Sequence, residues 1–277
     1  MHRIETAEIR AVVTSGERGL SAALIERLPR LEMVACFGVG YDGIDIEACR
    51  ARGIRVSNTP DVLSRDVADL GMGLMLTTLR RMAEADRYVR NSSWQRQGPM
   101  ALGTCLAGKK LGVLGLGRIG MELAKRASAA EMVLGYHNRA ARDGVDLRYF
   151  PSLVELAGWA DVLAVACPGG AATRHLVNAE VLAALGPEGW LINIARGSVV
   201  DEAALIAALE AGRIKGAGLD VFADEPRVPD SLLAMGNVVL QPHQASATEE
   251  TRDAMAGLVV ANLEAHFHGQ ALPTPVC

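Results

Sequence analysis

Short apolar runs alternate with amphipathic stretches along most of this chain. In the first third, Ile9–Thr14, Leu31–Cys36 and Ile54–Ser57 are brief runs rich in β-branched residues, which predicts strands. Helical spacing lies between them at Leu20–Leu28 and Ile44–Arg52, with Gly53 placed to close the second helix. Thr59, Pro60 and Asp61 read as the N-cap and first turn of a longer helix, running to about Thr78 and on into the charged stretch Arg80–Arg90.

From Lys110 onward the alternation is regular. It predicts strands at Leu111–Gly115, Met132–Tyr136, Asp161–Ala166, Trp190–Ala195, Gly216–Val221 and Asn237–Leu240. Helices are expected at about 118–130, 152–158, 178–185 and 202–211. Continuous apolar strands separated by helices argue for an α/β fold, a doubly wound parallel sheet covered on both faces. A last helix opens at a capping box of Ser246 and Glu249 and runs to about His268, long enough to leave this sheet and pack on the first part of the chain. The expected division is therefore discontinuous: residues 1–77 with 249–277, and residues 78–248. The stretch 91–110 has no clean period and holds Gly98–Pro99, so it reads either as an arm crossing to the second domain or to another subunit, or as a solvated loop; 80–110, with Trp94 as an anchor, is the candidate contact region.

Composition narrows the class. Half of the 277 residues are hydrophobic but only 4% are aromatic, which suits an Ala/Val/Leu/Gly-rich α/β protein. The 28 basic and 32 acidic residues give a net charge of −4 without a basic block, so no nucleic-acid partner is expected. No apolar run approaches the ~20 residues that cross a bilayer, and the polar start MHRIETAEIR carries no signal-peptide core. Cys36, Cys49, Cys105, Cys167 and Cys277 are odd in number and form no CxxC pair, which reads as reduced thiols and a cytoplasmic location. His266 and His268 fall on different helix faces, and no other cluster has ligand spacing, so no metal is expected.

The segment KKLGVLGLGRIGMELAKRA places Gly115, Gly117 and Gly120 with Arg118 and Ile119 between a strand and a helix. That context makes GxGxxG a dinucleotide site: tight turn, close approach of backbone to the pyrophosphate, close helix packing, and a helix N-terminus facing the phosphates. NAD-binding proteins place an acid on the ribose about 20 residues further on. Here stand His137, Asn138 and Arg139, and a guanidinium and an amide suit a 2′-phosphate, so NADP(H) is favoured over NAD(H).

Ligands of such sheets bind beyond the carboxyl ends of the strands. The residues there are Asn138, Arg139, Pro168, Arg196, Asp220, Glu225 and His243, all polar but the proline. An Arg to bind a carboxylate, a His to exchange a proton near neutral pH and a Glu to hold the imidazole suit chemistry on an anionic carbonyl compound.

NIARGSVVDEAAL (193–205), GAGLDVFADEP (216–226) and LQPHQASATEETR (240–252) resemble segments of the D-isomer-specific 2-hydroxyacid dehydrogenases, as do GLGRIG, ATRHLVN and FGVGYDGID. The likeness runs over nearly the whole chain and is nearest to the glyoxylate/hydroxypyruvate and hydroxyphenylpyruvate reductases. It implies a Rossmann domain beside a smaller flavodoxin-like substrate domain, and a homodimer. It further implies that Arg196 binds the carboxylate and carbonyl oxygen of a small 2-keto or 2-hydroxy acid. His243 would exchange the proton, and Glu225 would pair with it, raising the imidazole pKa above ~6.5. Val39 and Gly40 N–H groups would hold the carboxylate, Asp220 would meet the nicotinamide carboxamide, and Thr173 and Ala195 would line the cofactor cleft.

The start of the chain departs from the family. The segment AEIRAVVTSG, normally preceded by a strand–helix unit, begins within the first ten residues, so the substrate half is expected to lack that unit. Two alternatives stand beside the small-substrate reductase: a reductase of aromatic 2-keto acids such as hydroxyphenylpyruvate, and a catalytically silent, cofactor-sensing interaction protein.

Overall fold

The computed structural model describes residues 6–277; the reading of the polar start MHRIE falls outside them. In chain order come β1 (Ala11–Thr14), α1 (Ala22–Glu26), β2 (Met33–Cys36), α2 (Ile46–Ala51), β3 (Arg55–Ser57) and α3 (Ser64–Leu79). Helices α4 (Met82–Arg90) and α5 (Ser93–Gln97) precede β4 (Lys110–Leu114), α6 (Arg118–Ala129), β5 (Val133–His137) and β6 (Arg148–Tyr149). Then follow α7 (Leu153–Trp159), β7 (Val162–Val165), α8 (Ala179–Leu185), β8 (Trp190–Asn193) and α9 (Glu202–Glu210). The chain closes with β9 (Gly216–Leu219), α10 (Asp230–Ala234), β10 (Val238–Leu240) and α11 (Glu249–Phe267). No helix among the described residues is long and apolar enough to cross a membrane.

The chain divides into two compact units, one formed by the residues up to Ser64 with Ser246–Cys277, the other by Arg65–Ala245. The first boundary lies ahead of the expected 77/78. The reason is packing: a β-carbon on Gly218 of β9 would meet Leu74 and Thr78 within 2.8 Å, and one on Gly71 would meet Ile194 at 2.9 Å. Helix α3 is thus seated on the large sheet.

In the first unit, β1, β2 and β3 form a parallel sheet of three strands among the described residues. Leu20, Ile25, Val34, Cys49 and Val56 fill one side. Met33 and Ala35 on the other side pack with Val259, Ala265 and Leu272, which places α11 on this sheet.

The second unit carries seven parallel strands in the order β10-β9-β8-β7-β4-β5-β6. Strands β7, β8 and β9 are buried along their whole length, so they read as apolar runs, broken only by Asn193 at the end of β8. Order reverses between β4 and β7, and a doubly wound sheet opens its ligand crevice at such a reversal.

Three local expectations change. The long helix begins at Ser64, not at Pro60: Asp61 has φ 68°, and the Thr59 hydroxyl accepts from the Gly38 N–H at 3.0 Å instead of capping. It also stops at Leu79, because Arg81 takes φ 55° and starts α4 separately. The last helix is capped by Thr248, whose hydroxyl accepts from the Thr251 N–H, not by Ser246.

Candidate active site

The residues after β4, β5, β7, β8 and β9, and those after β10, gather in the second unit, most of them fixed by a specific local device. At the end of β4, Gly115 has φ 93°, and a β-carbon there would lie 2.5 Å from the Cys167 backbone. A β-carbon on Gly120 would lie 2.3 Å from the Gly115 carbonyl oxygen. These two positions admit only glycine for steric reasons. Gly117 differs: a β-carbon there would meet nothing within 4 Å. Its bareness leaves room in front of α6, where it is the N-cap with no side-chain cap bond. The N–H groups of Ile119 and Gly120 and the positive end of the helix face that room, which fits a pyrophosphate.

Beyond β5, Asn138 Oδ1 accepts the Leu116 N–H at 2.7 Å, leaving its NH2 as a donor. Arg139 is exposed, as is Arg118 at the head of α6. After β7, the Thr173 hydroxyl donates to the Pro168 carbonyl at 2.7 Å, closing that loop on itself.

Arg196 follows β8. Asn193, 1% exposed, accepts the Ala195 N–H and donates to the Arg196 carbonyl, both at 3.1 Å. Arg196 Nη1 donates to the Ala195 carbonyl at 2.7 Å. A β-carbon on the next residue, Gly197, would lie 1.9 Å from the Phe222 carbonyl, so the turns after β8 and β9 are pressed together. That close approach brings the half-buried Arg196 to the same rim as Glu225.

Glu225 and His243 meet at 2.7 Å, Oε2 to Nδ1, while Glu225 Oε1 accepts the Phe222 N–H at 2.9 Å. Burial pushes the Glu225 carboxyl upward, but the His243 hydrogen bond, the Phe222 N–H and the charges of His243 and Arg196 outweigh it. Its net shift is below the ordinary glutamate value. His243 itself has φ 48°, an uncommon conformation for a residue with a β-carbon. Its turn is held by Asp220, whose carbonyl accepts the His243 N–H at 2.9 Å. The Asp220 carboxylate accepts the N–H groups of Gln244 at 2.9 Å and Ala245 at 3.2 Å. Asp220 is 0% exposed, and burial drives its carboxyl upward, aided by the nearby Glu225 charge and opposed by those two N–H groups and the His243 charge. Through these bonds the Asp220 carboxylate braces the histidine turn.

In the first unit, Val39 and Gly40 lie in the turn after β2. Their carbonyls accept from Asn58 Nδ2 at 2.9 Å and the Cys36 thiol at 3.4 Å. Among the described residues neither N–H finds a protein acceptor, the arrangement an anion uses.

Sequence reasoning missed Asn193 and Gly197. The signal for the first was present: an Asn ending the apolar strand WLIN needs a buried partner.

A family profile described as D-isomer specific 2-hydroxyacid dehydrogenase, NAD binding domain, matches residues 72–245. The chain is 54% identical over 268 residues to a glyoxylate/hydroxypyruvate reductase of Arabidopsis thaliana, covering 97% of this chain and 85% of that protein. It is 51% identical over 273 residues to a hydroxyphenylpyruvate reductase of Plectranthus scutellarioides, covering 99% and 87%. An NADPH-dependent glyoxylate/hydroxypyruvate reductase of Sinorhizobium meliloti, solved with NADP and malonate, superposes with a TM-score of 0.96 at 48% identity, covering 100% of this chain and 86% of that one.

The depressed Glu225 pKa predicts a pH dependence. A carboxyl ionised more readily in the folded state stabilises the fold above its unfolded pKa, and that contribution fades as pH falls through the folded one. Denaturant unfolding of wild type and Glu225→Gln should show a stability gap at pH 7 that closes as the pH is lowered toward 3. A gap that widens on acidification would contradict the pairing.

Proposed function

The chain belongs to the D-isomer-specific 2-hydroxyacid dehydrogenase family, and from that premise we propose that it reduces small 2-keto acids of the glyoxylate and hydroxypyruvate type to the D-2-hydroxy acid with NADPH. The observation that carries the reading is the His243–Glu225 pair at 2.7 Å, set on one rim with Arg196.

The nicotinamide, when bound, supplies the hydride. The protein supplies alignment and charge. With Nδ1 committed to Glu225, the His243 ring directs Nε2 at the substrate oxygen, giving up a proton in reduction and taking it back in oxidation. Glu225 favours the imidazolium that holds this proton, and Asp220 fixes the turn that carries the ring. Arg196 binds the substrate carboxylate with its guanidinium fork. The N–H groups of Val39 and Gly40 are assigned to a carboxylate as well. Gly115, Gly117, Gly120, Arg118 and Ile119 would hold the pyrophosphate, Asn138 and Arg139 the ribose 2′-phosphate, and Pro168, Thr173 and Ala195 the nicotinamide half. The missing acid after β5 and the arginine in its place support NADP(H) over NAD(H).

The relative acting on hydroxyphenylpyruvate keeps aromatic 2-keto acids as the second reading. Both are tested by following NADPH and NADH oxidation with glyoxylate, hydroxypyruvate and hydroxyphenylpyruvate. Turnover with a small keto acid and NADPH is expected, and His243→Ala should abolish it while NADPH still binds. Retained turnover in that variant would remove His243 as the proton donor. A preference for NADH would overturn the assignment of Asn138 and Arg139.

We further propose a homodimer through the arm 80–110. Met82, Val89, Trp94 and Leu102 are 53%, 57%, 63% and 94% exposed, a cluster of large apolar side chains along one short stretch. Sedimentation equilibrium should give a dimer mass for the wild type and a shift toward monomer for Trp94→Asp. A wild-type monomer at micromolar concentration would refute it.

A further inference from the structure

The segment after β5 is joined to the glycine loop by more than strand pairing. The Gly115 N–H donates to the His137 carbonyl at 3.0 Å, and the Leu116 N–H donates to Asn138 Oδ1 at 2.7 Å. Arg142 Nη1 donates to the Leu116 carbonyl at 2.5 Å. Both polar backbone groups of the residue between the first two glycines are thus held by side chains from a single turn. Tyr136, 1% exposed, fixes that turn by accepting the Arg142 N–H at 2.9 Å. The Tyr149 hydroxyl donates to the Asn138 carbonyl at 3.4 Å.

A guanidinium has five N–H donors in a rigid fork. One of them is spent on Leu116. Arg142 is nonetheless exposed, in the same turn as Asn138 and Arg139, so its guanidinium is not closed off from a ligand. An unanchored arginine loses rotamer entropy when it is fixed on a ligand. Here the Leu116 carbonyl has already restricted the side chain, which favours its use on an anion. A phosphate monoester carries about two negative charges and three acceptor oxygens, more than one arginine satisfies.

We propose that Arg142 is a second arginine for the 2′-phosphate of the cofactor and thereby a specificity-determining residue, anchored for that task by the Leu116 carbonyl. This rests on the NADP(H) reading above. It also makes the glycine loop and the phosphate-selective turn a single structural unit.

Calorimetric titration with 2′,5′-ADP and with 5′-AMP tests it, because the two ligands differ only in the 2′-phosphate. Charge-assisted hydrogen bonds of about 1.5–3 kcal/mol correspond to about ten- to hundredfold in affinity. Arg142→Gln should weaken 2′,5′-ADP by about that factor and leave 5′-AMP nearly unchanged. Equal weakening of both ligands would make Arg142 only a brace of the glycine loop and overturn the proposal, as would unaltered binding of 2′,5′-ADP. The underlying cofactor reading is judged separately on the wild type. If the unaltered protein does not prefer 2′,5′-ADP to 5′-AMP, that reading fails first and takes this proposal with it.

Discussion

The histidine of this site sits on a turn that its own backbone disfavours. A left-handed conformation costs a residue with a β-carbon about 1–2 kcal/mol, and His243 adopts one at φ 48°. The opposing contribution comes from Asp220, whose carbonyl and two carboxylate oxygens take the N–H groups of His243, Gln244 and Ala245. Hydrogen bonds to a charged group contribute about 1.5–3 kcal/mol each, and two of them oppose the strain. Burial raises the Asp220 pKa, the cost of placing that carboxylate where no water replaces the N–H groups. Glu225 then fixes the ring itself. Backbone position is set by one acid and side-chain direction by the other.

The rest of the second unit serves the same geometry. Its strand order reverses between β4 and β7, which puts the glycine loop of β4 at the reversal and the turns after β8 and β9 along the rim. Gly197 lets those two turns touch, and Asn193 holds the Arg196 loop from beneath. Arginine, glutamate and histidine come from separate strand ends, so no single element could bring them together. The parallel sheet does so because all its strands end on the same side.

Much of this was legible in the sequence. Fully buried strands such as Val162–Val165 must be continuously apolar, so their number and order in the chain could be read directly. The residues at their carboxyl ends followed. What could not be read were choices between equivalent local chemistries. Thr59–Pro60–Asp61 has the composition of a helix start, yet the Thr59 hydroxyl serves the Gly38 N–H, a partner that only the fold supplies. Thr248 competes with Ser246 for the same cap, and nothing local decides between them. Helix α3 shares its composition with a helix of either unit, and its place was fixed by the bare glycines Gly71 and Gly218 beneath it. The left-handed turn at His243 leaves no compositional trace. Arg142 was hidden for a related reason: its role depends on Leu116, far from it along the chain.

In the proposed reaction, hydride passes from a bound nicotinamide to the carbon of a 2-keto acid while His243 manages the proton on oxygen. Deuterium tracing follows that transfer. The enzyme is supplied with hydroxypyruvate and NADPH deuterated at nicotinamide C4, in ordinary water, and the product is analysed by mass spectrometry and chiral chromatography. D-glycerate carrying one carbon-bound deuterium is expected when the transferred face is labelled. Product without deuterium from either labelled face, or product of the L configuration, would contradict it.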